Sequence, residues 1–294
     1  MKYFHFLFLL LFSCQTAAQE KDASIHFQTY GEGPPLLIIN GGPGMSSEGF
    51  VPLAKMLAKN HQAIIFDQRG TGRSVLKNTN RSTVTMDLMV DDMERLRQQL
   101  NLQKWTVLGH SFGGMLAAYY ATKHPDKISA MILSSSGGLD LELFSYLNIN
   151  GKLSAEDQQQ LNYWNNKIAS GDTSYEARLK RGMHLAPAYL YDQTFVPVIA
   201  KRLTQGNMRV NQLVFSDMRK INFDCKQQLK NFTAPVLIIQ GTEDIIDEKT
   251  AQRTADILPN DTLVLIEKCA HYGWLEQPEK YLGTVEDFLN KINN

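Results

Sequence analysis

The 294-residue sequence has only three cysteines, and no charge of one sign prevails, because 30 Lys and Arg residues balance 30 Asp and Glu residues. A net charge of zero gives no electrostatic footprint for nucleic acid or for an anionic membrane surface. No CxxC or HExxH pattern is present, so we expect no zinc site. Gly151-Lys152 is followed by leucine, which excludes a phosphate-binding P-loop. What remains is a chain of ordinary globular composition, long enough to bury a core without a metal or disulfide.

The one strongly apolar stretch lies at the N-terminus. Lys2 precedes an apolar run over 6–12, and small residues that end at Ala18 follow. This pattern is typical of a secretory signal peptide over 1–18, and the run is shorter than the about 20 residues that span a bilayer. An alternative is a bacterial lipobox ending at Cys14, which would carry a lipid anchor. Either interpretation predicts export, to the periplasm or medium or as a membrane-anchored lipoprotein.

The mature chain would then keep two cysteines, Cys225 and Cys269. An oxidising compartment permits a disulfide between them. The sequence leaves their pairing open, since it does not give the distance between their Cα atoms.

Downstream of residue 23, short apolar runs alternate with amphipathic stretches. The predicted strands are 36–39, 63–66, 105–108, 128–133, 236–239 and 262–266. Apolar residues at three- and four-residue steps predict helices over 86–100 and 282–292. Continuous apolar strands between amphipathic helices favour an α/β fold, with a mostly parallel sheet covered by helices on both faces.

The alternation breaks between 137 and 232, where no run of comparable apolar quality occurs and Asn, Gln, Tyr and Lys are frequent. Helical fragments are plausible at 154–168 and 175–184. We therefore predict a core made of 24–136 and 233–294, with 137–232 inserted as a helical cap over the carboxyl ends of the strands.

The strongest chemical motif is Gly109-His110-Ser111-Phe112-Gly113, which lies between a predicted strand and a predicted helix. This is the G-x-S-x-G nucleophile elbow in its expected strand–turn–helix context. The glycines leave room for a sharp turn that raises the Ser111 hydroxyl above the sheet edge, at the N-terminus of a helix whose dipole favours negative charge.

Two further residues complete a candidate Ser-His-Asp triad. Asp244 follows the strand at 236–239, and His271 follows the strand at 262–266. The chain order Ser111, Asp244, His271 is the order expected for the α/β-hydrolase fold. In such a triad the histidine removes the serine proton and the aspartate holds the imidazole tautomer. Glu243 and Asp247 are the rival acids.

An oxyanion hole requires two aimed N–H donors. The residue after the nucleophile, Phe112, would supply one. The loop 40–44 follows an early strand and contains three glycines, which let a backbone approach a substrate closely. We assign the second donor to Gly42.

These motifs together resemble the prolyl aminopeptidase (proline iminopeptidase) family of α/β-hydrolases. The segments that carry the resemblance are Asn-Gly-Gly-Pro-Gly at 40–44, Asp-Gln-Arg-Gly-Thr-Gly-Arg-Ser at 67–74 and Gly-His-Ser-Phe-Gly-Gly at 109–114. The family usually has His where this chain has Asn40; asparagine can still hydrogen-bond the loop. The resemblance covers about 31–133 and 235–289, but not the cap.

The resemblance implies a serine hydrolase without cofactor or metal that forms an acyl-enzyme and releases N-terminal residues, proline above all, from short peptides. It also implies cap carboxylates that bind the free α-amino group, for which Glu142 and Glu176 are our candidates. Each of these residues could instead be part of a solvated helix face. Two other functions stay open: a carboxylesterase or lactonase acting on small acyl substrates, and a ligand-binding signalling protein with residual hydrolase activity.

Overall fold

The computed structural model describes residues 23–142, 145 and 147–293. The predicted signal peptide and Cys14 lie outside the described residues, so they stay predictions. Within the described part of the chain, no helix is both long enough and apolar enough to cross a bilayer.

A seven-stranded sheet forms the centre of the molecule. Its strands are β1 (Phe27–Tyr30), β2 (Pro35–Ile39), β3 (Gln62–Phe66), β4 (Trp105–His110), β5 (Ile128–Ser134), β6 (Val236–Gly241) and β7 (Asp261–Ile266). They lie in the order β1-β3-β2-β4-β5-β6-β7. The first strand is antiparallel to β3, and all other neighbours are parallel. Six strands match the predicted runs, whereas β1 was not predicted.

Helices connect the strands and fill the long interval between β5 and β6. They are α1 (Val51–Leu57), α2 (Met86–Gln99), α3 (Phe112–Lys123), α4 (Ala155–Ala169), α5 (Tyr175–Leu185), α6 (Val196–Leu203), α7 (Met208–Lys220), α8 (Lys226–Leu229), α9 (Glu248–Ala255), α10 (Gly273–Glu276) and α11 (Pro278–Asn293). Five of them, α4 to α8, fall within the predicted cap.

The sheet is covered on both faces, as the apolar strands predict. Alternate residues of a strand point to opposite faces, and β2 shows this directly. Leu37 and Ile39 belong to the core layer that contains the methionines of α2, whereas Leu36 and Ile38 belong to the layer that contains Val285 of α11. The predicted fold class, an α/β-hydrolase fold with a mostly parallel sheet, is confirmed.

The interval 137–232, the predicted cap and called the cap region from here on, contacts the rest of the chain at its last long helix. The Asp217 carboxylate on α7 accepts a hydrogen bond of 2.8 Å from the backbone N–H of Met86, the first residue of α2. Cys225, at the start of α8, and Cys269 are both buried free thiols, so the structure contains no disulfide between them.

The segment that follows β3 is held by buried charges. Arg69 forms an ion pair of 2.6 Å with Asp92, and both side chains are almost wholly buried. Asp67 accepts hydrogen bonds from the backbone and hydroxyl of Ser47 at 2.8 and 2.9 Å and from the Arg73 N–H at 2.8 Å. The 67–74 motif therefore braces the loops around the carboxyl ends of β2 and β3.

Candidate active site

Ser111 lies in a strained turn between β4 and α3. Its backbone has φ of 56° and ψ of −121°, a region that costs a non-glycine residue about 1–3 kcal/mol. A Cβ on Gly109 would collide with the carbonyl oxygen of Gly113, and a Cβ on Gly113 would collide with that of Ile39. The two glycines of the motif therefore permit the turn, and Ser111 occupies the N-cap position of α3.

Asp244 and His271 form a buried hydrogen-bonded pair. The distance between His271 Nδ1 and Asp244 Oδ1 is 2.8 Å, and the side chains are 3 % and 0 % exposed. The carboxylate also accepts from the Ile246 N–H at 3.2 Å and from Gln240 Nε2 at 2.9 Å. An ionised carboxylate only accepts, so this environment holds the Nδ1–H tautomer of His271 and leaves Nε2 free.

The rival acids lie elsewhere. Glu243 is exposed and pairs with Lys152 at 3.4 Å. Asp247 is the N-cap of α9, where its side chain accepts from the Lys249 N–H. Of the three candidate acids, only Asp244 contacts His271.

Ser111 follows His110 in sequence, and the ring of His110 contacts that of His271. The rings of His110 and His271 have centroids 4.6 Å apart. No hydrogen bond joins the Ser111 hydroxyl to His271 among the described residues. Such contacts often lengthen in unliganded enzymes and tighten when substrate binds.

The glycine loop after β2 lies against the serine. A Cβ added to Gly41 would be 2.7 Å from the Ser111 Cβ. Gly42 has φ of 73°, and its carbonyl accepts from the Met45 N–H at 2.9 Å. Among the described residues, neither the Gly42 N–H nor the Phe112 N–H has an acceptor, so both donors are free for a ligand.

Asn40, where the resembled family usually has His, holds this loop by several hydrogen bonds, among them a long one of 3.4 Å from its side-chain amide to the Gly41 carbonyl. Its amide nitrogen donates to the Met45 carbonyl at 3.0 Å, and its own carbonyl accepts from Gln68 Nε2 at 2.9 Å. This agrees with the expectation that asparagine can still hydrogen-bond the loop.

His110 lies in an aromatic layer behind His271. Its ring lies 5.5 Å from Phe50, 5.5 Å from Tyr272 and 4.8 Å from Trp274. Burial, with the nearby charges of His271 and Arg202, holds the pKa of His110 well below its ordinary value. His110 is therefore neutral, and it adds apolar surroundings rather than charge.

Arg202, on α6, was not singled out from the sequence. It is 8 % exposed, and its guanidinium donates to the Gly41 carbonyl at 3.0 Å and to the Tyr272 hydroxyl at 3.1 Å. The same group lies 5.2 Å from the Phe50 ring centroid and 5.7 Å from that of Tyr272. A cation of the cap region thus reaches the loop beside Ser111.

Glu276, on α10, was also not singled out. Its carboxylate accepts from the backbone N–H groups of Tyr191, Asp192 and Ala270, at 2.5, 2.9 and 2.8 Å. Burial raises the pKa of Glu276, and the hydrogen bonds from these N–H groups oppose that rise. The carboxylate joins the cap region to the segment just before His271.

The two candidate substrate-binding carboxylates lie apart from each other. Glu142 forms an ion pair with Arg253 of α9, and Glu176 is an exposed residue in the first turn of α5. Neither forms a hydrogen bond or ion pair with Ser111, Asp244 or His271. Their part in substrate binding stays a prediction.

No group of three or more His, Cys, Asp or Glu side chains in the described part of the chain is arranged to hold a metal ion. The chemistry available to the described site is that of a hydroxyl, an imidazole, a carboxylate and free backbone donors.

Comparison with known proteins assigns the family. The model of the alpha/beta hydrolase fold family matches residues 34–278, so the chain belongs to that family. It is also similar to a proline iminopeptidase from Heyndrickxia coagulans, with 30 % identity over 277 residues, or 90 % of this chain and 94 % of that protein. A proline iminopeptidase from Saccharolobus solfataricus is 27 % identical over 282 residues, covering 92 % of this chain and 90 % of its own.

Solved structures agree on the fold. An alpha/beta fold family hydrolase from Bacillus anthracis str. Sterne superposes with a TM-score of 0.74 at 23 % identity, covering 90 % of this chain and 95 % of its own. An esterase from Exiguobacterium antarcticum does so with a TM-score of 0.71 at 18 % identity, covering 92 % and 96 %.

Proposed function

We propose that the protein is a serine hydrolase in which Ser111 is the nucleophile, His271 the general base and Asp244 the residue that orients the base. The observation that carries the proposal is the buried 2.8 Å contact between His271 and Asp244. The His271 ring also contacts that of His110, the residue before a serine on a strained elbow. This combination of groups is what acyl transfer through a covalent intermediate requires.

The reaction proceeds by addition and elimination. The Ser111 oxygen attacks the substrate carbonyl carbon while its proton passes to Nε2 of His271. The carbonyl oxygen becomes an oxyanion that accepts from the Gly42 and Phe112 N–H groups. Collapse of this intermediate breaks the acyl bond, and His271 returns the proton to the leaving amine or alcohol. Water then attacks the acyl-enzyme by the same route and releases the acid.

Two features of the site favour the negatively charged intermediate. Removal of one oxyanion donor typically costs about 3–4 kcal/mol of transition-state stabilisation. The N-terminus of α3, a helix over Phe112–Lys123, adds the positive end of its dipole beside the nucleophile. The glycine loop at 40–44 and the nucleophile elbow at Ser111 together would supply this stabilisation.

The substrate class we propose is a short peptide from which the N-terminal residue, proline above all, is released. The support is the similarity to proline iminopeptidases over most of both chains and the 67–74 motif. Glu142 and Glu176 remain our candidates for binding the free α-amino group.

A carboxylesterase or lactonase is the second candidate, and one observation favours it. Glu142 is already paired with Arg253, and Glu176 makes no contact with the three proposed catalytic residues. If neither carboxylate reaches a substrate amine, the same triad would serve small acyl esters that carry no charge.

A fluorophosphonate probe and two substrates test these proposals. The native protein should be labelled at Ser111 and should release p-nitroaniline from the proline p-nitroanilide. Ser111→Ala should lose labelling and turnover with its fold intact, whereas Ser136→Ala, at another buried serine, should keep both. Turnover of p-nitrophenyl acetate without any anilide hydrolysis would favour the second candidate. Absence of labelling would overturn the serine hydrolase proposal.

A further inference from the structure

Three cap-region donors hold three carbonyls of the glycine loop. Arg202 donates to the Gly41 carbonyl at 3.0 Å, Asn211 Nδ2 donates to that of Pro43 at 3.0 Å, and the Asn207 N–H donates to that of Gly44 at 2.8 Å. The two Asn contacts hold parts of the loop that follow the proposed oxyanion donor. The Arg202 contact is different, because it acts on the peptide group that contains that donor.

The Gly41 carbonyl and the Gly42 N–H belong to one peptide unit. Such a unit is planar and trans, so its C=O and N–H bonds point in opposite directions. A guanidinium bound to the Gly41 oxygen therefore fixes the plane in which the Gly42 N–H lies and turns that N–H away from Arg202. A cationic donor on the oxygen also polarises the peptide, and such cooperativity strengthens the next hydrogen bond by about 10–30 % in condensed-phase estimates.

We propose that Arg202 is a positioning residue of the oxyanion hole, which acts through the Gly41–Gly42 peptide by fixing the direction of the Gly42 N–H. The inference rests on the proposed function. Arg202 itself need not touch the substrate.

The surroundings of Arg202 are a poor arrangement for stability alone. A buried cation normally pairs with a carboxylate, yet no carboxylate among the described residues forms an ion pair with Arg202. Its contacts are one carbonyl, one phenol and two aromatic faces. Its Nε atom is buried without any acceptor. An apolar side chain of similar volume would avoid these desolvation costs, so the guanidinium is better explained by its effect on the loop.

The position of the Arg202 charge also favours the oxyanion of the proposed reaction. The one negative charge that the proposed mechanism creates in this region is the oxyanion, which Gly42 would bind. The positive charge at Arg202 lies on the far side of the peptide from that oxyanion and is partly desolvated, so its field is screened less than at the surface.

The test compares three Arg202 variants with a matched loop variant. Arg202→Met and Arg202→Gln remove the contact with the Gly41 carbonyl, and Arg202→Lys keeps a cationic donor. Asn211→Ala removes a cap donor from the same loop but from a different peptide. For each protein we would measure kcat and KM with p-nitrophenyl acetate and the second-order rate of labelling by a fluorophosphonate, whose phosphoryl oxygen occupies the oxyanion hole.

We expect Arg202→Met and Arg202→Gln to lower kcat and the labelling rate roughly ten- to hundredfold, which is less than the about 100- to 1,000-fold cost of losing an oxyanion donor outright. KM should stay within about twofold, Arg202→Lys should recover part of the loss, and Asn211→Ala should stay within about threefold of the native protein.

Several outcomes would overturn the inference. Three of them are kinetic: a native-like kcat in a folded Arg202→Met or Arg202→Gln variant, an equal fall of kcat in Asn211→Ala, and a rise in KM with kcat unchanged. The fourth is failure of every Arg202 variant to fold, since this would assign the residue to stability. Folding is judged by near-ultraviolet circular dichroism. Absence of labelling in the native protein is a separate result, because it removes the proposed function and the inference with it.

Discussion

Replacement of Asp244 by Asn tests the proposed orientation of His271 most sharply, because either orientation of the new amide places its NH₂ group against another donor. Oδ1 of Asp244 accepts from His271 Nδ1 at 2.8 Å and from the Ile246 N–H at 3.2 Å. Oδ2 accepts from Gln240 Nε2 at 2.9 Å, and that nitrogen also donates to the Ile246 carbonyl at 3.1 Å. Every group around the carboxylate is thus a donor.

The asparagine NH₂ group must replace one of the two oxygens. At the Oδ1 position it faces His271, whose proton then moves to Nε2, so the imidazole can no longer accept from Ser111. At the Oδ2 position it faces the Gln240 NH₂ group, which its bond to the Ile246 carbonyl keeps from turning over. A buried donor without an acceptor costs about 1–3 kcal/mol, so neither arrangement is free of penalty.

The expected loss of kcat is about 10⁴-fold, the size seen when a triad aspartate becomes an amide and the wrong tautomer results. At about 1.4 kcal/mol for each factor of ten, this equals roughly 5.5 kcal/mol of transition-state stabilisation. This loss lowers the reaction rate and not the stability of the fold. The misplaced amide costs the fold only about 1–3 kcal/mol, so the fold should persist.

Initial rates with p-nitrophenyl acetate, together with thermal melting, measure both effects. Glu243→Gln is the matched control, because it makes the same chemical change one residue away on an exposed side chain that pairs with Lys152. We expect native rates for this control. If Asp244→Asn kept more than a tenth of the native kcat, or if Glu243→Gln lost as much, Asp244 would not be the residue that orients the base.

Three further predictions concern other parts of the chain. Burial would raise the pKa of Glu94, but hydrogen bonds from neighbouring side chains outweigh it and lower that pKa to about 2. The stabilisation that ionised Glu94 gives the fold is therefore present above its ordinary pKa of about 4.3 and is lost as the pH falls towards about 2. The Tm deficit of Glu94→Gln should shrink over that interval, and a constant deficit would contradict this prediction. Burial raises the pKa of both Cys225 and Cys269 to about 12, so iodoacetamide near pH 8 should alkylate only the denatured protein. Mass spectrometry of the exported protein should find an N-terminus just after Ala18, whereas a lipid on the lipobox cysteine would support the alternative.

The core strands were predictable because their signal is local. Each central strand is apolar on both faces, so its run of hydrophobic residues is continuous. The strand β4 is buried along its whole length, and its predicted range of 105–108 ends two residues before the observed Trp105–His110. The antiparallel strand β1 has the exposure pattern of an edge strand, with Gln28 and Thr29 exposed. Four residues with two polar members give too weak a pattern to distinguish from a loop.

The serine elbow and the glycine loop were identifiable for the same reason. Their geometry depends on residue types a few positions apart, and the collision that a Cβ on Gly109 would cause with the Gly113 carbonyl acts within one turn of chain. The candidate acid was harder to choose, since three acidic residues follow β6 within six positions. Among the three, only the Asp244 carboxylate contacts the imidazole of His271, and the sequence does not give that contact.

Arg202 and Glu276 had no comparable local signal. Arg202 contacts Gly41 across 161 residues, and Glu276 contacts Tyr191 across 85. In sequence, Arg202 stands in the last turn of an amphipathic helix beside Lys201, where a cation ordinarily complements the helix dipole at the surface. Only the packing of that helix against the loop after β2 removes the guanidinium from water. The sequence therefore reveals which residues have reactive side chains. The residues that contact and orient those side chains emerge only from long-range packing, because a surface cation and a buried cation have the same local pattern in the sequence.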